Sequence, residues 1–122
     1  MKPVCLVIGA GAGIGGTVGA RFSEKGFHSV LCRRSDQQGL NKLVSQIHSH
    51  GGEATGFLLN AVEEGSIEKR ITSIETEIGP IEIVVFNLGA QIGNRHLIDT
   101  SYKAFEIGWR MATFALFRTA ST

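Results

Sequence analysis

Four short apolar runs alternate with four helical stripes along the chain. Val4-Cys5-Leu6-Val7-Ile8 is uninterrupted, the pattern of a strand covered on both faces. His28 to Cys32 is a second run. Glu53 to Leu59 is a third, weakened by Thr55 and Gly56. Ile81 to Phe86 is a fourth, β-branched and nearly all apolar. Between these runs the period changes. Ile14, Val18 and Phe22 predict one face of a first helix, and Leu40, Leu43, Val44 and Ile47 the stripe of a second. Ile67, Ile71, Ile74 and Ile78 recur at spacings of four, three and four, the clearest helical signal present. A last helix is predicted from about Ser101 to the end, carrying Phe105, Trp109, Phe114 and Phe117.

Punctuation agrees with the periods. Gly26, Gly51-Gly52 and Gly79-Pro80 stop three of the helices. Ser35 with Gln38 reads as a capping box, and Ser66 and Ser101 (or Thr100) read as N-caps. Strands alternating with helices give an α/β, doubly wound parallel sheet with helices on both faces. One Rossmann-like domain is expected over residues 1–122. The four strand ends, Gly9, Arg33-Arg34, Asn60-Ala61 and Asn87-Leu88-Gly89, then fall on one rim, where such sheets bind ligands.

The first strand leads into Gly9-Ala10-Gly11-Ala12-Gly13-Ile14-Gly15-Gly16. Glycines let the main chain turn sharply and let a ligand approach where a Cβ would collide. The helix behind them offers free N–H groups and a positive dipole end to a phosphate. Two registers fit. Gly11-x-Gly13-x-x-Gly16 matches the general dinucleotide fingerprint but starts late relative to the strand. Gly9-x-x-x-Gly13-Ile14-Gly15 starts where the strand ends and is preferred.

Charge and composition narrow the chemistry. The net charge is +1, which gives no electrostatic footing for nucleic acid or an acidic membrane. No apolar run reaches eighteen residues. Met1-Lys2-Pro3 enters the first strand directly, without a signal-peptide cleavage region. Cys5 and Cys32 sit inside predicted strands as buried thiols, which suits a reducing, cytoplasmic location. His48 and His50, two apart on a helix, face different directions, so no metal is expected.

The second strand ends Leu31-Cys32-Arg33-Arg34, with no carboxylate before Asp36. In dinucleotide folds an acid near this place receives the ribose of NAD. A guanidinium instead suits a 2′-phosphate through a planar, charge-assisted fork. NADP is therefore favoured, with Arg33 as the principal contact and Arg34 beside it.

Taken together, the chain resembles the amino-terminal, cofactor-binding half of the short-chain dehydrogenase/reductase family, over essentially all of its length. Gly9, Gly13, Ile14 and Gly15 match the family's cofactor turn, with Gly11 inside it. Arg33 matches the basic residue of NADP-preferring members. Asn60-Ala61 stand at the Asp-Val pair that touches adenine. Phe86-Asn87-Leu88-Gly89 stand at Asn-Asn-Ala-Gly, which implies that Asn87 and Gly89 lie near the nicotinamide ribose. There are departures. Ile8 replaces a threonine, Asn60 an aspartate, Phe86 an asparagine, and Ala112 the asparagine of the catalytic relay.

The resemblance implies chemistry by a Tyr-x-x-x-Lys pair. The single tyrosine, Tyr102, is followed by Lys103-Ala104-Phe105-Glu106, and is expected to be a packing residue. No catalytic residue is assigned, and the expected role is the NADP(H)-binding part of an oxidoreductase. The alternative is a non-catalytic module that senses the dinucleotide or binds a partner. In the family the fourth strand pairs with a fifth and the last helix enters a subunit interface. A homo-oligomer or a partner chain is therefore expected at those two elements.

Overall fold

The computed structural model describes residues 1–88 and 96–122. In chain order the elements are β1 (Val4–Ile8), α1 (Ile14–Ser23), β2 (His28–Arg33), α2 (Gln37–Ser49), β3 (Glu53–Leu58), α3 (Ser66–Glu77) and β4 (Ile81–Phe86). A 3-10 turn (Leu97–Asp99) precedes α4 (Tyr102–Trp109), a π turn (Arg110–Phe114) and α5 (Ala115–Ser121).

The strands form one sheet in the order β3-β2-β1-β4, with every pair parallel. β1 is central, which is why all five of its residues are buried and why its sequence carries no polar alternation. Ile8 pairs with Cys32 on one side and Phe86 on the other, and Cys32 pairs with Phe57. These four residues form one row across the carboxyl ends of the strands. A register shift on β4 takes Val4 to Ile81 and Cys5 to Ile83, and the skipped Glu82 is exposed.

Two apolar layers cover the sheet. Cys5, Val7 and Leu31 face Leu40 and Ile47 of α2, with Ala20 and Phe22 of α1 against them. Leu6, Ile8, Val30 and Cys32 face Ile67, Ile71 and Ile74 of α3, with Ala115 of α5. The two thiols therefore lie on opposite faces and are free. Burial pushes the Cys5 thiol up to about 11. It pushes Cys32 up to about 12, against a smaller downward pull from the Arg70 charge.

Four local expectations are corrected. Ile14 is 71% exposed rather than buried. The buried residues of α1 are instead Gly15, Gly16 and Gly19, of which Gly19 meets the sheet at Leu31 and Val7. A Cβ on Gly19 would stand 2.5 Å from Leu31 Cδ2, so glycine allows the helix to come this close. Second, α2 is capped by Asp36, not Ser35. Asp36 holds the left-handed conformation (φ 67°), and its carboxylate accepts from Gly39 N at 3.0 Å. Aspartate tolerates that region and is the stronger acceptor. Third, Gly65 occupies the N-cap of α3, and the Ser66 hydroxyl donates back to the Asn60 carbonyl at 2.7 Å. Fourth, the last helix is interrupted by the π turn, and Tyr102 at its start is 96% exposed rather than packed. Ser101 caps this helix as expected, accepting from Ala104 N at 3.1 Å. No helix among the described residues is long and apolar enough to cross a membrane.

Candidate functional site

The four strand ends are laced together by main-chain bonds. Gly9 N and Ala10 N both donate to Cys32 O at 2.9 Å, which anchors the glycine turn on the end of β2. Asn87 N donates to Ile8 O at 2.8 Å, and Leu59 N to Arg33 O at 2.9 Å. The predicted rim is therefore one continuous edge running from Asn60 through Arg33 and Gly9 to Asn87.

The turn itself has an open side and a closed side. Gly9 takes φ +97°, and a Cβ there would overlap the Asn87 carbonyl. A Cβ on Gly15 would overlap Gly9 O, so both glycines are fixed by their neighbours. A Cβ on Gly11 or Gly13 would meet nothing within 4 Å, so these two border open space. Gly13 is the N-cap of α1 and brings no side-chain acceptor. The first helical bond runs from Thr17 N to Gly13 O at 3.1 Å. The N–H groups of Ile14, Gly15 and Gly16 thus have no intrahelical partner. Three such donors at the positive end of a helix dipole suit an anion.

Next along the rim, Arg33 is partly sheltered and Arg34 is exposed. An Arg33 Nη lies 3.8 Å from the Asp36 carboxylate, whose other oxygen caps α2. The guanidinium is thus held at the start of α2 by a loose ion pair.

At the end of β3, Asn60 is exposed and its Oδ1 accepts from Val62 N at 3.3 Å, leaving one lone pair and the amide NH₂. Ala61 is buried, and its carbonyl accepts from Arg118 Nη1 at 2.8 Å. A cavity of about 380 Å³ opens beside Asn60, bordered by Leu58, Lys69 and Arg70. A larger one of about 590 Å³ lies between α1 and α2, bordered by Ala12 and Gly16 of the glycine turn and by Thr17, Arg21, Gln46 and His50. Asn87 is exposed at the end of β4, and Gly89 lies outside the described residues.

Sequence reasoning missed Arg118. Its guanidinium reaches Glu68 on α3 (Nε to Oε1 3.0 Å, Nη2 to Oε1 2.8 Å) and two carbonyls of the loop between them. The available signal was a lone arginine between buried Ala115 and Thr119 on the last helix. No cluster of metal-ligating side chains occurs among the described residues. His48 Nε2 and His50 Nδ1 are instead within hydrogen-bond reach of the Ala54 and Gln46 carbonyls. Ala112 lies within the π turn, with no side-chain group for proton transfer.

Comparison with known proteins agrees with this architecture. The family model described as short chain dehydrogenase matches residues 3–122. A short chain dehydrogenase of Pseudocercospora fijiensis is 29% identical over 110 residues, a match covering 86% of this chain and 35% of that protein. The crystal structure of a short-chain dehydrogenase from Rhodopseudomonas palustris superposes with a TM-score of 0.90 at 29% identity, covering 98% of this chain and 55% of the other. An F189W actinorhodin polyketide ketoreductase with NADPH superposes at 0.89, but at 23% identity this shows shared fold alone. The chain spans roughly a third to half of the length of these relatives.

Proposed function

The chain belongs to the short-chain dehydrogenase family, and from that premise we propose that it is the NADP(H)-binding part of an oxidoreductase. The glycine turn receives the diphosphate on the amides of Ile14, Gly15 and Gly16, with Gly11 and Gly13 leaving the approach open. Arg33, with Arg34 beside it, receives the 2′-phosphate. Asn60 and Ala61 border the adenine. Asn87 and Gly89 border the nicotinamide ribose. The cofactor supplies hydride transfer; these residues bind and orient it.

The observation that carries NADP over NAD is Arg33. It is the charged group at the end of β2, and the nearby acid, Asp36, is already committed to capping α2. A 2′-phosphate adds two charges opposite a planar fork, whereas the ribose hydroxyls of NAD find no free carboxylate there.

The sequence has no Tyr-x-x-x-Lys, so no proton-transfer role is assigned to Tyr102 or to any other residue. A second reading, a dinucleotide-sensing or partner-binding module, is favoured by the apolar surface of the last helix. Phe105 and Phe117 are 64% and 65% exposed, and β4 has an open edge among the described residues. A homo-oligomer or a partner chain over these elements is part of the proposal, as is a cytoplasmic location for a chain with two free thiols.

Titration with NADPH and NADH tests the cofactor assignment. NADPH is expected to bind tighter by about 1.5–3 kcal/mol, the range for a hydrogen bond to a charged group. Arg33→Asp is expected to abolish the preference. Equal binding of both cofactors by the unaltered chain would refute it.

A further inference from the structure

We infer that Arg118 is a positioning residue for the adenine end of the cofactor site, acting through the loop from Asn60 to Glu63. This inference rests on the cofactor assignment above and adds a residue that the glycine and arginine motifs do not include.

The loop leaves β3 at Leu58 and enters α3 at Ser66. At its α3 end, Ser66 N donates to Glu63 O at 3.2 Å. Asn60 O accepts from Ser66 Oγ at 2.7 Å and from Glu63 N at 3.1 Å, and Asn60 Oδ1 accepts from Val62 N at 3.3 Å. The last helix reaches two of its carbonyls, one of them, Ala61 O, with no donor from within the loop. Arg118 Nη1 donates to Ala61 O at 2.8 Å, and Nη2 donates to Glu63 O at 3.1 Å. The same guanidinium is oriented by the Glu68 carboxylate through Nε and Nη2, at 3.0 and 2.8 Å.

All three nitrogens of one planar group are thus engaged, on two loop carbonyls and on the Glu68 carboxylate of α3. The Arg118 side chain is 14% exposed, so water competes weakly for these donors. A lysine carries its three donors on a single nitrogen and cannot span acceptors set on two sides of the fork. The position of Asn60, one residue before Ala61, follows from where this fork holds the Ala61 carbonyl. The adenine contact is therefore set by a residue on the last helix, 57 positions away.

Arg118 lies far along the chain from Arg33, which makes the effect separable. Loosening the loop weakens NADPH and NADH by the same factor, because both carry adenine. The ratio between them, set at Arg33, stays constant.

The experiment compares the full chain with Arg118→Gln and Arg118→Lys, measuring NADPH and NADH dissociation constants below each variant's own melting temperature. A 5- to 50-fold weakening of both cofactors, with the NADPH/NADH ratio preserved and the Lys variant no better than partly restored, is expected. Unchanged dissociation constants in a folded variant would overturn the inference while leaving the cofactor assignment intact. Should Arg118→Gln not fold, Arg118→Lys decides on the same criterion. Absence of NADPH binding by the unaltered chain would overturn the cofactor assignment, and this inference with it.

Discussion

Gly9 lies so close to the Asn87 carbonyl that a single added methyl would overlap it, and the same glycine holds φ at +97°. The first strand's turn and the fourth strand's end are therefore pressed together without side chains between them. Asn87 N closes the contact by donating to Ile8 O at 2.8 Å. This joint sets the spacing of the rim on which the proposed cofactor residues stand.

Gly9→Ala is expected to lower stability by more than about 1 kcal/mol, because both backbone strain and overlap oppose it. A Cβ on Gly13 meets nothing within 4 Å, so Gly13→Ala should cost less stability than Gly9→Ala. It should nevertheless weaken NADPH, since the methyl enters the approach to the helix amides. Urea midpoints and cofactor titrations of the two variants check this. Equal stability losses would contradict the contrast.

Asp36 performs two tasks in a left-handed conformation: it caps α2 and stands 3.8 Å from Arg33. Asp36→Ala removes the cap and leaves an alanine at positive φ, and should cost about 1–2 kcal/mol. Asp36→Gly loses the same cap but relieves the backbone, and should cost only a few tenths. Thermal melts that show no difference between the two would argue against the left-handed cap.

Stability should fall at alkaline pH through the two buried thiols. Their ordinary value is 9.0, raised in the fold to about 11 for Cys5 and about 12 for Cys32. Below pH 9 both are neutral in the folded and unfolded chain, and their contribution is fully present. Above it the unfolded chain releases protons first, so stability declines until the folded values are passed. The slope is at most about 1.4 kcal/mol per pH unit for each thiol. Denaturant curves from pH 8 to 11 for the unaltered chain and for Cys5→Ala/Cys32→Ala check this. A variant whose pH profile is as steep as the parent's would exclude the thiols as the cause.

The last helix should drive association. Phe105, Phe117, Trp109 and Leu116 are exposed along it, more apolar surface than a lone helix face leaves to water. Sedimentation velocity is expected to show oligomers, and Phe105→Ser/Phe117→Ser to shift them toward monomer. A sharp monomer peak for the unaltered chain, with no binding of an apolar-surface dye, would refute this.

The sequence alone determined the order and type of every element through β4, because a strand covered on both faces and an amphipathic helix impose different periods on neighbouring residues. It determined the rim as well: parallel strands put all their carboxyl ends on one side, so Gly9, Arg33, Asn60 and Asn87 had to be neighbours. Tertiary structure alone decided which helix face met the sheet. Period predicted Ile14 inward, yet close approach to Leu31 favoured the glycines and turned Ile14 to solvent. It decided the cap of α2, where backbone geometry chose Asp36 over its neighbour Ser35. It alone brought Arg118 to Glu68 and Ala61, across 50 and 57 positions. A contact of that range depends on how two helices settle on a common sheet face, and neither helix encodes that separately.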